Sequence, residues 1–179
     1  MEAPEVPTEH LHEHLHEHAH SAKESWTMGV ALSSALLAAL AAVASLQAGH
    51  NANEAMSAQI QSANKWSYFQ SKSIKESQLN GKMDIIAALG KEVAEKDREK
   101  ALEYKKEKAG IQIEAEALEK ESKHFFHTHE ILAKAVTFFQ VSIAVAAISV
   151  LSKRRSFWFV SLGFGAVGLW YLLRGWIAH

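Results

Sequence analysis

The chain has 179 residues, 48% hydrophobic and 22% charged, with a formal net charge of −1 and no cysteine. Disulfides, thiolate metal sites and cysteine nucleophiles are thereby excluded, and balanced charge without a basic stripe interleaved with aromatics argues against a nucleic-acid binder. The average is that of a soluble protein, but apolar and charged residues are segregated into blocks. Setting three apolar runs aside leaves too little apolar material for a separate globular core.

Residues 1–25 form a His/Glu-rich tail in which the tetrads EHLH, EHLH and EHAH occupy positions 9–20. On a helix, His10, His14 and His18 share one stripe and His12, His16 and His20 another. On a strand, all six imidazoles point to one side. Either arrangement brings neutral imidazoles within reach of one Zn²⁺, Ni²⁺ or Cu²⁺ ion, with Glu9, Glu13 and Glu17 as oxygen donors. The same residues also suit a polar disordered tail, or an interfacial helix whose histidines gain charge as pH falls. Both prolines, Pro4 and Pro7, lie in this tail, so beyond it only glycines interrupt helix.

Residues 26–48 read as a first transmembrane helix. The run Thr27–Ala48 carries no charge, and about 20 apolar residues suffice to cross a bilayer core of roughly 30 Å. Trp26 stands where an interfacial aromatic belongs. Small residues recur four apart (Ala31–Ala35–Ala39 and Ser34–Ala38–Ala42), a spacing that lets helix backbones approach closely inside a membrane. Span one is therefore expected against protein, from this chain or another copy; the alternative is an Ala-rich anchor facing lipid.

Residues 49–130 read as an extramembrane helical arm. No proline or linker follows the span, so the helix is expected to continue outward. Ala52, Met56, Ile60, Ala63 and Trp66 recur at helical steps, with Phe69 and Ile74 extending the stripe. The chain then becomes densely charged, and Glu92–Lys96, Glu116–Lys120 and Glu119–Lys123 are spaced to support an exposed helix. Gly90 lies near the midpoint, which predicts an antiparallel hairpin with matched legs; Gly81 is the other candidate tip. The seam of Val93, Leu102, Ala109, Ile113 and Leu118 is sparse, suiting a bundle of several copies better than a lone two-stranded coil.

Beside the membrane, His50 and Glu54 form an i, i+4 pair and His124 and His127 an i, i+3 pair, with His129 following. If the arm folds back, these four side chains make a candidate second metal site. Histidine and phenylalanine are also ordinary interfacial residues.

Spans two and three are expected at 131–152 and 156–176. Gln140 and Thr137 lie within the second apolar run, and a buried amide there needs a partner across a helix interface. The short Lys153-Arg154-Arg155 connection forces an antiparallel pair and sets that turn on the cytoplasmic side by the positive-inside rule. The tail is then cytoplasmic and the arm periplasmic, although Lys120, Lys123, Lys134 and Arg174 oppose this. Gly163, Gly165 and Gly168 spell GxGxxG, but no strand or βαβ unit surrounds them. They are expected to thin one face of the third helix for close packing.

The stretches GVALSSALLAALAAVASLQAGHNANEAM, KWSYFQSKSIK and FQVSIAVAAISVLSKRR resemble an uncharacterised bacterial membrane family, the domain of unknown function DUF4337. The resemblance implies a multi-pass protein of the bacterial inner membrane and supplies no activity, catalytic residue or protein partner. The reading is thus an all-α membrane protein: three transmembrane helices plus a long extramembrane helical hairpin or coiled-coil arm. The expected function is a membrane-embedded structural scaffold that homo-oligomerises in the bilayer, the alternative being a metal-binding membrane protein using the His-rich tail. A channel ranks third, since no charged residue lies inside the apolar runs. No catalytic constellation is present in the sequence.

Overall fold

A computed structural model describes residues 25–177, which form three helices and no strand: α1 (Ser25–Ala88), α2 (Glu95–Leu151) and α3 (Arg155–Ile177). Each contains a stretch long and apolar enough to cross a membrane. The helices run 64, 57 and 23 residues, so α1 continues unbroken from its apolar half into its polar half, as the absence of proline predicts. The described residues divide into two compact units. One takes the described chain up to Ala52 together with that from Phe126 onward, and the other is Asn53–Phe125.

The first unit is a three-helix bundle. Its core brings Leu37, Ala44 and Ala48 of α1 against Leu132, Ala135, Phe139 and Ile143 of α2 and Leu172 of α3. Span one does pack on protein, through Val30, Ser34, Leu37, Ala44 and Ala48. The inward stripe is not the four-spaced set read from the sequence, because Ala39 and Ala42 face outward. A second cluster joins Trp26 and Val30 to Ala146, with Val150 and Trp158 packed against it.

On α3 the buried face is Ser161, Gly165, Gly168, Leu172 and Gly175. A methyl placed on Gly168 would lie 2.8 Å from the Phe139 ring, one on Gly175 2.5 Å from Leu132, and one on Gly165 2.8 Å from Leu37. Those glycines serve close approach, as the small-residue spacing predicts. Gly163 faces open space and takes no part.

The second unit is an antiparallel hairpin. The first leg ends in a Schellman motif: Gly90 at φ 69° accepts the left-handed position, its N–H bonds Ala87 O at 2.9 Å, and Lys91 N–H bonds Ile86 O at 3.1 Å. The tip is therefore at Gly90, and Gly81 sits inside α1. Glu95 and Asp97 open the second leg, where negative charge suits a helix N-terminus.

Candidate functional site

The hairpin seam is not the stripe the sequence suggests. Met56, Ile60, Ile74 and Ile113 are 55–69% exposed. The inward positions of α1 are Ala55, Ala58, Ser62, Lys65, Phe69, Lys72, Glu76, Leu79, Met83 and Ile86, which alternate in steps of three and four like a coiled-coil seam. Near Ala55 the legs are close enough for hydroxyl-to-backbone bonds. Ser122 Oγ donates to Ala55 O at 2.8 Å and Ser62 Oγ to Ala115 O at 3.0 Å.

Towards the tip, ion pairs across the seam are added among the inward apolar residues Phe69, Leu79, Met83 and Ile86. Lys65 pairs with Glu114, Lys72 with Glu107 at 2.5 Å, Glu76 with Lys108 at 2.7 Å, and Lys82 with Asp97 at 2.6 Å. The Lys72 ammonium also lies 5.3 and 5.2 Å from the Tyr68 and Tyr104 ring centres, a two-sided cation–π contact. The Glu107 carboxylate bonded to it holds Lys72 above the ordinary lysine value of 10.5. Glu103 and Lys100, 2.6 Å apart, shift each other likewise, the carboxyl downward and the ammonium upward. Of the three pairs expected along the second leg, Glu119–Lys123 forms at 2.7 Å. Glu116 instead accepts from Gln112 at 2.8 Å, and Glu92 falls in the turn before α2.

Within the bundle, hydroxyls make most of the polar contacts. Ser161 Oγ donates to Ser142 O at 2.8 Å and Ser142 Oγ to Ser161 O at 2.5 Å, a reciprocal clasp between two fully buried serines. Trp158 Nε1 donates to Ser33 Oγ at 3.2 Å. Thr137 satisfies itself on Ala133 O at 2.9 Å and stays exposed, so it needs no partner helix. Gln140 is half-buried. Asn51 is buried, donating to Gln47 O at 2.9 Å while its Oδ1 has no hydrogen-bond partner.

His10, His12, His14, His16, His18 and His20 lie outside the described residues. His50, Glu54, His124 and His127 are all exposed. Among the described residues no group of three or more His, Cys, Asp or Glu side chains is placed to hold a metal ion. The histidine with a defined backbone bond is His129, which was not among the candidate ligands. It is half-buried, and its Nδ1 donates to Ala48 O at 2.9 Å.

The turn between α2 and α3 is a second Schellman motif. Lys153 N–H bonds Val150 O and Arg154 N–H bonds Ser149 O, both at 3.2 Å, with Lys153 at φ 52° where glycine is usual. Arg155 lies over the Trp26 ring at 5.6 Å.

These features define an all-helical protein with three helices long and apolar enough to cross a membrane. The chain belongs to the family described as domain of unknown function DUF4337, whose model matches residues 26–178. No curated protein and no solved structure matches it.

Proposed function

We propose that this chain is a multi-pass protein of the bacterial inner membrane that acts as a structural scaffold, homo-oligomerising through its membrane helices and its extramembrane hairpin. One observation carries the reading: large apolar side chains face outward around every helix of the bundle. Met28, Leu32, Leu36 and Leu46 on α1, Ile148 and Leu151 on α2, and Phe159, Trp170 and Ile177 on α3 are all well exposed. So much apolar surface is unstable in water and matches hydrocarbon or another copy.

Copies associate inside a bilayer by close packing rather than by the hydrophobic effect, because lipid is as apolar as leucine. Ala39 and Ala42, left on the outside of α1, offer a thin face for that approach. In the hairpin, Met56, Ile60, Ile74 and Ile113 supply apolar contacts that the two legs leave unused. With Lys153, Arg154 and Arg155 facing the cytoplasm, the tail is cytoplasmic and the hairpin periplasmic.

Light scattering of the detergent-solubilised full chain tests the assembly; a monodisperse monomer would remove the scaffold reading. Protease digestion of sealed inside-out vesicles tests sidedness, with the tail expected to be cut and the hairpin protected.

A further inference from the structure

We propose that the α2–α3 turn is a docking site for the phosphodiester headgroups of anionic lipids. The inference rests on the membrane reading above. Lys153, Arg154 and Arg155 are exposed, and among the described residues none of them makes an ion pair. The setting differs from that of the hairpin, where acidic residues are interspersed and Lys65, Lys72, Lys82, Lys100, Lys108 and Lys123 have a carboxylate partner, whereas no Asp or Glu follows Glu130 in the sequence.

The local backbone gives the cations no support either. Lys153 holds a left-handed conformation that side chains disfavour. Arg155 begins α3, whose first turn contains no acidic residue and whose positive end repels a cation. Three adjacent cations without an ion-pair partner among the described residues are, at such a point, complementary to an anion.

The partner's class follows from the setting. The turn joins two membrane-length apolar helices, so it sits where each enters the headgroup layer. Trp26 and Trp158 pack in the same cluster of the bundle, and indole rings of this kind settle at that depth. The Arg155 guanidinium lies over the Trp26 ring at 5.6 Å, beside an aromatic of that belt. A doubly flanked cation turn at headgroup depth meets phosphodiesters at high local concentration, and each cation adds to the attraction until salt screens it.

The test uses the full chain in nanodiscs of neutral phosphatidylcholine, with phosphatidylglycerol then titrated in and bound lipid counted by native mass spectrometry. Preferential retention of phosphatidylglycerol is expected, weakening roughly fivefold for each cation removed in Lys153→Gln and Arg154→Gln. Lys153→Gly is the variant that separates binding from folding: glycine suits the positive φ, so the thermal midpoint in phosphatidylcholine holds or rises while phosphatidylglycerol retention falls as in Lys153→Gln. Equal retention of both lipids by the wild type, or unchanged retention by Lys153→Gly, overturns the proposal. So does full displacement by inorganic phosphate, which would assign the turn to a free anion. Failure of the protein to enter nanodiscs at all would instead strike the membrane reading, and is distinguishable from a null lipid preference.

Discussion

The bundle and the hairpin are both antiparallel helix packings, built in part from the same two helices, yet different chemistry holds each. In the bundle, Gly168 lets Phe139 approach, Gly175 lets Leu132 approach, and Ser142 clasps Ser161. No ion pair falls among its described residues. In the hairpin, the inward face carries Lys65, Lys72 and Glu76, each paired across the seam, while Ile60, Ile74 and Ile113 point outward. Charge is cheap to place on a seam that water can reach and expensive inside hydrocarbon. On the membrane reading proposed above, each region uses the interaction that its surroundings leave favourable.

Enlarging a bundle glycine is the harshest way to break this contrast. Gly168→Leu drives a side chain into the Phe139 ring and should destabilise the bundle by about 1–3 kcal/mol, read as an earlier midpoint in SDS unfolding. Gly163→Leu, facing open space, should leave that midpoint unchanged. Equal effects from the two would refute the packing account.

Glycines of the hairpin sharpen it next. Gly90→Ala should cost about 1–2 kcal/mol, since alanine disfavours a left-handed backbone. Gly81→Ala and Gly110→Ala, helical and unobstructed, should each gain about 0.5–1 kcal/mol. Circular dichroism melts report all three, and a stabilising Gly90→Ala would move the tip elsewhere.

The serine clasp is a smaller term. A double-mutant cycle on Ser142→Ala and Ser161→Ala should return a coupling of about 0.6 kcal/mol, the usual scale for hydrogen bonds between membrane helices. Additive single effects would mean that the two hydroxyls are not coupled.

Ion pairs give the mildest and most condition-dependent effects. Lys82→Met should cost under about 1 kcal/mol and less in high salt. Glu103 is held below the usual 4.5, so its contribution is present at neutral pH and lost as pH falls through that lowered value. Lys72 is held above 10.5, so its contribution is complete below 10.5 and lost as pH climbs through the raised value. These two groups therefore add no pH dependence of their own between those limits. Lys72→Met should erase part of the alkaline decline; an identical decline in the variant would exclude Lys72 as its source.

Several features were legible in the chain itself. Three uncharged runs dictate membrane-length helices because a backbone free of proline and rich in alanine has no competing local structure. The glycines of the third helix announced close packing, and Gly90 the midpoint of the hairpin. The hairpin seam was illegible for a physical reason. Periodicity methods seek apolar residues on the inward face, whereas here Ala55, Ala58 and Ser62 are too small to stand out and Lys65, Lys72 and Glu76 carry charge. Lys65, Lys72 and Glu76 are spaced by seven and four residues, a charged stripe along one helix face. The exposed Met56–Ile60–Ile74 stripe drew the eye because it is greasier than the seam it adjoins.

Sequence alone determined that this is an all-helical chain with three apolar helices, because length and composition of a run decide whether it can form a bilayer-spanning helix. Tertiary structure alone decided which face of each helix turns inward. It set Gly168 on Phe139 and Ser142 on Ser161, gave Lys72 its two tyrosines, and left His50, Glu54, His124 and His127 exposed without a ligand group. Facing depends on the partner across the gap, and pairing between residues far apart in the chain is fixed only when the helices have docked.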